Sequence, residues 1–158
     1  MPRGLKQTSS TVAIGFEVRE SGANTYTQGS VDLNLSPLDR EVFVVLGINL
    51  DPFSPDAIAG VDTNVNCAVT TTSRLTLATL ADSNCLATGN AIIRAAGFLD
   101  SGCSFQTSGM DTPPAALEYL GIIATNDFFV GVEGAGNLAA RGVTGKLYGY
   151  RAIANADI

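Results

Sequence analysis

The sequence predicts an all-β domain in which roughly eight short antiparallel strands form a β-sandwich. Three observations support this fold class. Apolar and polar residues alternate at a period of two in several segments, turn-forming residues separate these segments, and some of the intervals between them are long. Because Greek-key and jelly-roll topologies need long connections that cross between two sheets, the intervals 51–64 and 97–117 favour the jelly-roll type.

The alternation is clearest in residues 41–51. The apolar side chains that fall on one predicted face there are Val42, Val44, Leu46, Ile48 and Leu50. The opposite face also carries Phe43 and Val45, so we expect this strand to be central and covered on both sides for part of its length.

Other segments on both sides of this strand also have the composition of strands. They are residues 12–18, 31–35, 65–69, 91–96, 119–125, 128–133 and 146–153. The short turn at Asn126 and Asp127 predicts that the two strands flanking it form a hairpin.

Two segments are candidates for a short helix, and the first of them fits a helix about as well as a strand. In residues 75–86, Leu77 and Leu80 have a helical spacing, although a turn is the alternative. Residues 114–118 begin with Pro114, which suits the first turn of a helix. We therefore expect one or two short helices in the loops of the sandwich.

Neighbouring aromatic residues are expected to divide between the core and the surface. Phe128 and Phe129 are adjacent, so one of them points inwards and the other outwards. In the last predicted strand, Tyr148 and Tyr150 share the face opposite to Gly149. An exposed aromatic residue on a strand can anchor a partner, and packing under a neighbouring loop is the alternative.

The length of the chain fits one domain. We expect a flexible N-terminal arm at residues 1–10, the sandwich at residues 11–153 and a C-terminal tail at residues 154–158. The first ten residues are polar and do not look like a signal peptide. The sequence contains no run of about 18 apolar residues, so we expect no transmembrane segment.

The charge content favours a subunit of an assembly over a free monomer. Charged residues make up 15% of the chain, against roughly 25% in an ordinary globular protein. Interfaces between permanent subunits are depleted in charge, so a low charge content indicates surface that is buried against other copies. The net charge is −6 and the basic residues are scattered, which disfavours direct sequence-specific binding of nucleic acid.

The residue types that most catalytic and metal sites need are scarce. The chain has no His and no Trp, which removes Ser–His and Cys–His nucleophile pairs and the largest stacking platform for sugars or bases. Nothing in the sequence brings two Glu residues together as an acid–base pair. We therefore predict that the protein is not an enzyme and has no catalytic, cofactor-binding or metal-binding residues.

One loop and the cysteines leave alternatives open. Asp51, Asp56 and Asp62 lie in a Pro-bearing segment that resembles either a calcium loop or an ordinary turn, and the turn is favoured. The cysteines are Cys67, Cys85 and Cys103. Buried thiols are favoured over one disulfide, but the sequence does not decide between them.

The segment from Asp39 to Pro52 is a long strand followed by a Pro-bearing loop, and residues 145–151 form another strand near the C-terminus. With a short polar arm in front, this layout resembles the single jelly-roll capsid proteins of tail-less icosahedral viruses. The resemblance implies an eight-stranded sandwich, many copies of the chain in a symmetric shell, and a location in the virion. Capsid proteins that contact their genome directly often have a basic N-terminal arm, and this arm is not basic. The resemblance therefore also implies a shell that lies over an internal membrane, or a shell built from several kinds of capsid protein.

Two other classes of protein compete with this interpretation. A secreted or surface-displayed carbohydrate-binding sandwich would be a monomer with an aromatic ligand platform. A non-viral filament or surface-lattice subunit would also self-associate, through exchange of its N-terminal arm.

Overall fold

The computed structural model describes residues 4–35, 39–56, 58, 60–94, 103–108 and 119–154, and for residues 103–108 it describes the backbone. Within these ranges the chain forms ten β-strands and no α-helix. The strands are β1 (Leu5–Gln7), β2 (Val12–Arg19), β3 (Thr27–Asp32), β4 (Glu41–Pro52), β5 (Thr63–Thr70), β6 (Cys85–Arg94), β7 (Cys103–Ser108), β8 (Gly121–Ile123), β9 (Asp127–Ala135) and β10 (Gly142–Ala154).

The strands form two five-stranded antiparallel sheets that pack face to face. In the first sheet the order is β1-β10-β4-β8, and β2 also pairs with β10; in the second it is β3-β9-β5-β6-β7. Without β1 and β7, the remaining strands are ordered β2-β10-β4-β8 against β3-β9-β5-β6. This is the jelly-roll arrangement of two Greek keys. The predicted fold class is confirmed.

The two additional strands extend the edges of the sheets. β1 lies inside the predicted N-terminal arm and pairs with the end of β10, with Leu5 opposite Ala154. β7 lies inside the predicted long connection 97–117 and pairs with β6. A strand of three residues such as β1 is too short for a period-two pattern to reveal it.

β4 is covered on both sides near its start, as the sequence predicts. Phe43 and Val45 belong to the core between the sheets, where both side chains have no exposed surface. Val42 and Val44 belong to a second apolar cluster on the outer face of the first sheet, where they pack with Tyr150. The strand therefore has apolar neighbours on both of its faces.

The prediction that the apolar side chains of β4 share one face is wrong. A β-bulge within the strand changes the face to which the later side chains point. The register against β10 shifts between Tyr148 and Gly149, which leaves Leu46 as the extra residue. Beyond the bulge, Ile48 and Leu50 point into the core between the sheets. Since side chains alternate with a period of two, one inserted residue moves every later side chain to the opposite face.

The predicted hairpin around Asn126 is also wrong. β8 pairs with β4 in the first sheet, whereas β9 pairs with β3 and β5 in the second. The short turn therefore crosses between sheets. Asn126 stabilises this crossing, because its backbone oxygen accepts a hydrogen bond from Leu33 N (2.7 Å) and its side-chain oxygen accepts one from Leu35 N (2.8 Å).

The helix considered for residues 75–86 is absent; bends and turns occupy this segment, and β6 begins at Cys85. Asp82 explains part of the difference. Its side chain accepts a hydrogen bond from Thr79 N (2.9 Å) and its backbone oxygen accepts one from Cys85 N (3.1 Å). Local bonds of this kind compete with helical ones. The second helical candidate, residues 114–118, lies outside the described residues.

The core between the sheets is made of aromatic and aliphatic side chains from both. The largest fully buried members include Phe43, Phe128, Leu33, Ile48, Ile123 and Leu147. Phe128 makes an edge contact with Phe16 of the facing sheet, with ring centroids 5.9 Å apart. Phe129 is only half-buried, which confirms that the two adjacent phenylalanines divide between core and surface.

Candidate functional site

Polar side chains, of which Glu20 and Asn137 are buried, tie three loops together at one end of the sandwich. The loops are residues 20–26 between β2 and β3, residues 53–56 after β4, and residues 136–141 between β9 and β10. We call this set of hydrogen-bonded residues the loop network. Its members are Glu20, Asn24, Asp56, Asn137 and Arg141. The sequence suggests strand ends and turns at these positions and does not predict their contacts.

Glu20 is the most buried acid of the network, with 6% of its surface exposed. Its carboxylate accepts hydrogen bonds from the backbone N–H groups of Thr25 (2.8 Å), Gly134 (2.9 Å) and Arg141 (2.8 Å). Its own backbone N–H donates to the carbonyl oxygen of Arg141 (2.7 Å). One side chain therefore holds the start of its own loop against the β9–β10 connection.

Asn137 connects the same loops through its side chain and backbone. Its side-chain oxygen accepts a hydrogen bond from Asp56 N (2.9 Å), and its side-chain nitrogen donates to Asn64 O (2.9 Å). Its backbone N–H and carbonyl both bond to the side chain of Asn24. Only 5% of Asn137 is exposed, so these bonds are partly shielded from water.

The carboxylate of Asp56 is used inside the loop network. It accepts hydrogen bonds from the backbone N–H groups of Leu138 (2.7 Å) and Ala139 (3.2 Å), and it pairs with the guanidinium of Arg141. Asp51 lies apart from it on β4. Among the described residues no three His, Cys, Asp or Glu side chains are grouped as a metal site would need.

The loop between β5 and β6, residues 71–84, lies over the outer face of the second sheet. Gln28 of β3 holds it there, because its side chain donates to the hydroxyl of Ser73 (2.9 Å) and accepts from Arg74 N (2.8 Å). Within the loop, Arg74 pairs with Asp82 at 3.5 Å. Leu75 of the same loop is nevertheless 94% exposed.

A cavity of about 400 Å³ lies between this loop and the sheet. The loop contributes apolar walls from Leu77, Ala78 and Leu80, and the sheet contributes Asn66 and Asn90. Leu80 is 67% exposed at the rim, whereas Ala78 is buried. Among the described residues, no charged side chain lines this cavity.

The two tyrosines of β10 share one face, as predicted; this is the outer face of the first sheet, where the two side chains differ in burial. Tyr150 is packed in the outer apolar cluster. Tyr148 is 38% exposed and lines a polar depression with Asn49, Asp51 and Lys146. The packing alternative therefore describes Tyr150, and the exposed ring of Tyr148 is open to a partner.

Cys67 and Cys85 carry free thiols; Cys67 is buried, which confirms the favoured interpretation for that residue, whereas Cys85 is only partly buried. The side chain of Cys103 lies outside the described part. Burial raises the pKa of the Cys67 thiol to about 12, although a backbone hydrogen bond at Gly89 acts in the opposite direction. Burial also raises the pKa of Cys85.

We expect Cys67 to resist alkylation by iodoacetamide at pH 8 as long as the protein is folded. With a pKa of about 12, roughly one thiol in ten thousand is ionised at that pH, and the side chain is inaccessible. Peptide mass spectrometry should show labelling of Cys67 only after addition of urea. Rapid labelling of Cys67 in folded protein would contradict its placement in the core.

By its strand order the chain is a jelly-roll β-sandwich protein. No protein-family model matches its sequence, and no curated protein matches it. Among solved structures, it is similar to a chain of desmodium yellow mottle tymovirus, with 14% sequence identity and a TM-score of 0.37 over all of this chain and 97% of that chain. A TM-score at this level is too low to support any statement about shared fold or function. No helix in the described residues is long and apolar enough to cross a membrane.

Proposed function

We propose that the protein is a capsid subunit that assembles with copies of itself into a closed viral shell. The observation that carries this proposal is a set of well-held loops that present leucines to solvent. Leu75, Leu80 and Leu138 are 94%, 67% and 80% exposed, although hydrogen bonds fix the loops that bear them. Exposed apolar groups on ordered loops suit contacts with neighbouring subunits.

The low charge content supports the same proposal. Only 15% of the residues are charged, and several of these charges are used within the chain. Arg141 pairs with Asp56, and Arg74 pairs with Asp82. A surface with few free charges loses less hydration when it is buried against other copies.

The jelly-roll architecture is used by capsid proteins and also by lectins. We propose the capsid role because the loops offer largely exposed leucines, whereas Tyr119 and Tyr148, which could face a sugar, are only 37% and 38% exposed. In this proposal the protein is not an enzyme, its partners are copies of itself and other capsid proteins, and it makes no sequence-specific contact with nucleic acid. Its location is the virion.

Light scattering and negative-stain imaging of the purified protein, over a range of protein and salt concentrations, test this proposal. We expect rings or closed particles of uniform size. A monomer of 16.3 kDa at every protein and salt concentration would contradict it. Fibres or flat sheets would favour a filament or lattice subunit, and a monomer that binds sugars would favour the carbohydrate-binding alternative.

We predict that the double substitution Leu75→Asp and Leu80→Asp raises the protein concentration needed for assembly about tenfold or more, because a tenfold change needs only about 1.4 kcal/mol. Both side chains are largely exposed, so folding should not change. The matched control is Leu75→Met with Leu80→Met, which keeps the apolar surface. Assembly of the aspartate variant at the control's concentration would show that this loop makes no subunit contact.

A further inference from the structure

The polar depression on the outer face of the first sheet contains none of the exposed leucines on which the capsid proposal rests. Its volume is about 340 Å³, and small-molecule sites usually have volumes of roughly 300–1,000 Å³. Side chains from two neighbouring strands line it. They are Asn49 and Asp51 of β4, and Thr144, Lys146 and Tyr148 of β10.

The β-bulge in β4 is what makes this part of the outer face polar. Before the bulge, the outer face of the strand carries valines. Beyond it, Ile48 and Leu50 lie in the core between the sheets. Asn49 and Asp51 therefore point outwards, where they line the depression. Bulges are frequent next to functional sites, because the extra residue redirects the side chains that follow it.

The ring of Tyr148 has small neighbours on both flanking strands. In the register of the sheet it lies opposite Gly47 of β4 and Ala13 of β2. The adjacent Lys146 lies opposite Gly15, where an added Cβ atom would have no heavy atom within 4 Å. Since no large side chain is directly paired with it, the ring is open to an apolar ligand face that approaches from solvent.

The two charged groups of the depression are available to a ligand. Lys146 and Asp51 are diagonal neighbours across β10 and β4. Within the described part of the chain, neither side chain makes an ion pair or a hydrogen bond. The depression therefore offers an ammonium donor, a carboxylate acceptor and, in Asn49, an amide that is both.

We propose that this depression binds a neutral sugar, with the ring of Tyr148 against the apolar face of the pyranose. A sugar hydroxyl both donates and accepts hydrogen bonds, so it can donate to Asp51 and accept from Lys146. An anion would be repelled by the carboxylate and a cation by the ammonium, and an apolar occupant would remove water from both. The inference goes beyond the proposed function, because it needs no contact between copies of the chain.

Saturation-transfer-difference NMR tests the proposal. The probes are the methyl glycosides of galactose, mannose and N-acetylglucosamine at millimolar concentration, and glycine betaine is the zwitterionic comparison. We expect transfer to at least one glycoside and less transfer to betaine. Tyr148→Ala should weaken this binding at least about tenfold, whereas Tyr148→Phe, which keeps the ring, should retain it. The matched control is Tyr119→Ala, which removes a ring that is 37% exposed but does not line the depression.

Three outcomes would overturn the inference. They are no transfer to any of the glycosides, sugar binding that survives Tyr148→Ala, and an equal loss of binding in Tyr119→Ala. Betaine that binds more tightly than the glycosides would also contradict it, because charge would then determine the ligand. The capsid proposal is tested separately by particle formation. A sugar-binding protein that stays monomeric would overturn that proposal alone, and particles that bind no sugar would overturn this inference alone.

Discussion

Glu20→Ala is expected to lower the free energy of unfolding by about 3–5 kcal/mol. The substitution removes the acceptor of three backbone N–H groups, those of Thr25, Gly134 and Arg141. Because only 6% of Glu20 is exposed, water reaches these donors poorly after the change. Urea denaturation followed by far-ultraviolet circular dichroism measures the loss.

Glu17→Ala is the matched control, three residues earlier in the chain. Glu17 is exposed at the end of β2 and pairs with Arg19 at 2.8 Å, where both side chains are largely in water. Such a pair contributes at most about 1 kcal/mol. Glu20→Gln is a second comparison, because it keeps the volume of the side chain. It replaces one acceptor oxygen by an N–H₂ group, which cannot accept a hydrogen bond from the backbone N–H groups that Glu20 binds. If Glu20→Ala unfolds at the same urea concentration as Glu17→Ala, the loop network does not stabilise the fold.

The inner face of β2, whose pairing with β10 has no bulge, was predictable from sequence because the pleat imposes a period of two. Val12, Ile14 and Phe16 all pack against the core between the sheets, as their alternation indicates. Phe128 and Phe129 divide between core and surface for the same reason. Local patterns of this kind need no knowledge of which strand lies next to which.

Features that depend on a distant partner were not predictable from sequence. The bulge in β4 is defined by its register against β10, which lies about a hundred residues later in the chain. The turn at Asn126 has the sequence of a hairpin, and only the pairing of β8 with β4 shows that it joins two sheets. Glu20 and its donor Gly134 are 114 positions apart, so no local pattern reveals that they meet.

The loop network links the fold to the proposed assembly. A jelly roll leaves its connections at the two ends of the sandwich, and loops of this kind carry function when the scaffold holds them still. Here the buried Glu20 and the half-buried Asp56 hold the β9–β10 loop through hydrogen bonds, and Leu138 in that loop is exposed. Loss of Glu20 should therefore weaken assembly under conditions in which the sandwich is still folded, because the β9–β10 loop loses its order.

Gly149→Ala is expected to destabilise the protein by about 3 kcal/mol, because it overpacks a well-filled core. Gly149 lies opposite Val45 at the bulge. A Cβ atom at this position would meet the carbonyl oxygen of Val44 and lie 2.5 Å from Cε1 of Phe43. The oxygen belongs to the backbone of a central strand and the Phe43 ring is fully buried, so neither moves aside easily.

The matched control is Gly15→Ala on β2, in the same sheet. A Cβ atom there would have no heavy atom within 4 Å, and alanine reduces the freedom of the unfolded chain. We expect a change within about 1 kcal/mol, in the stabilising direction. Thermal unfolding of both variants compares the positions directly. Equal melting temperatures would mean that an added Cβ atom is accommodated equally well at the two positions. The register of β4 against β10 at the bulge would then be wrong, because this register places Gly149 against Phe43.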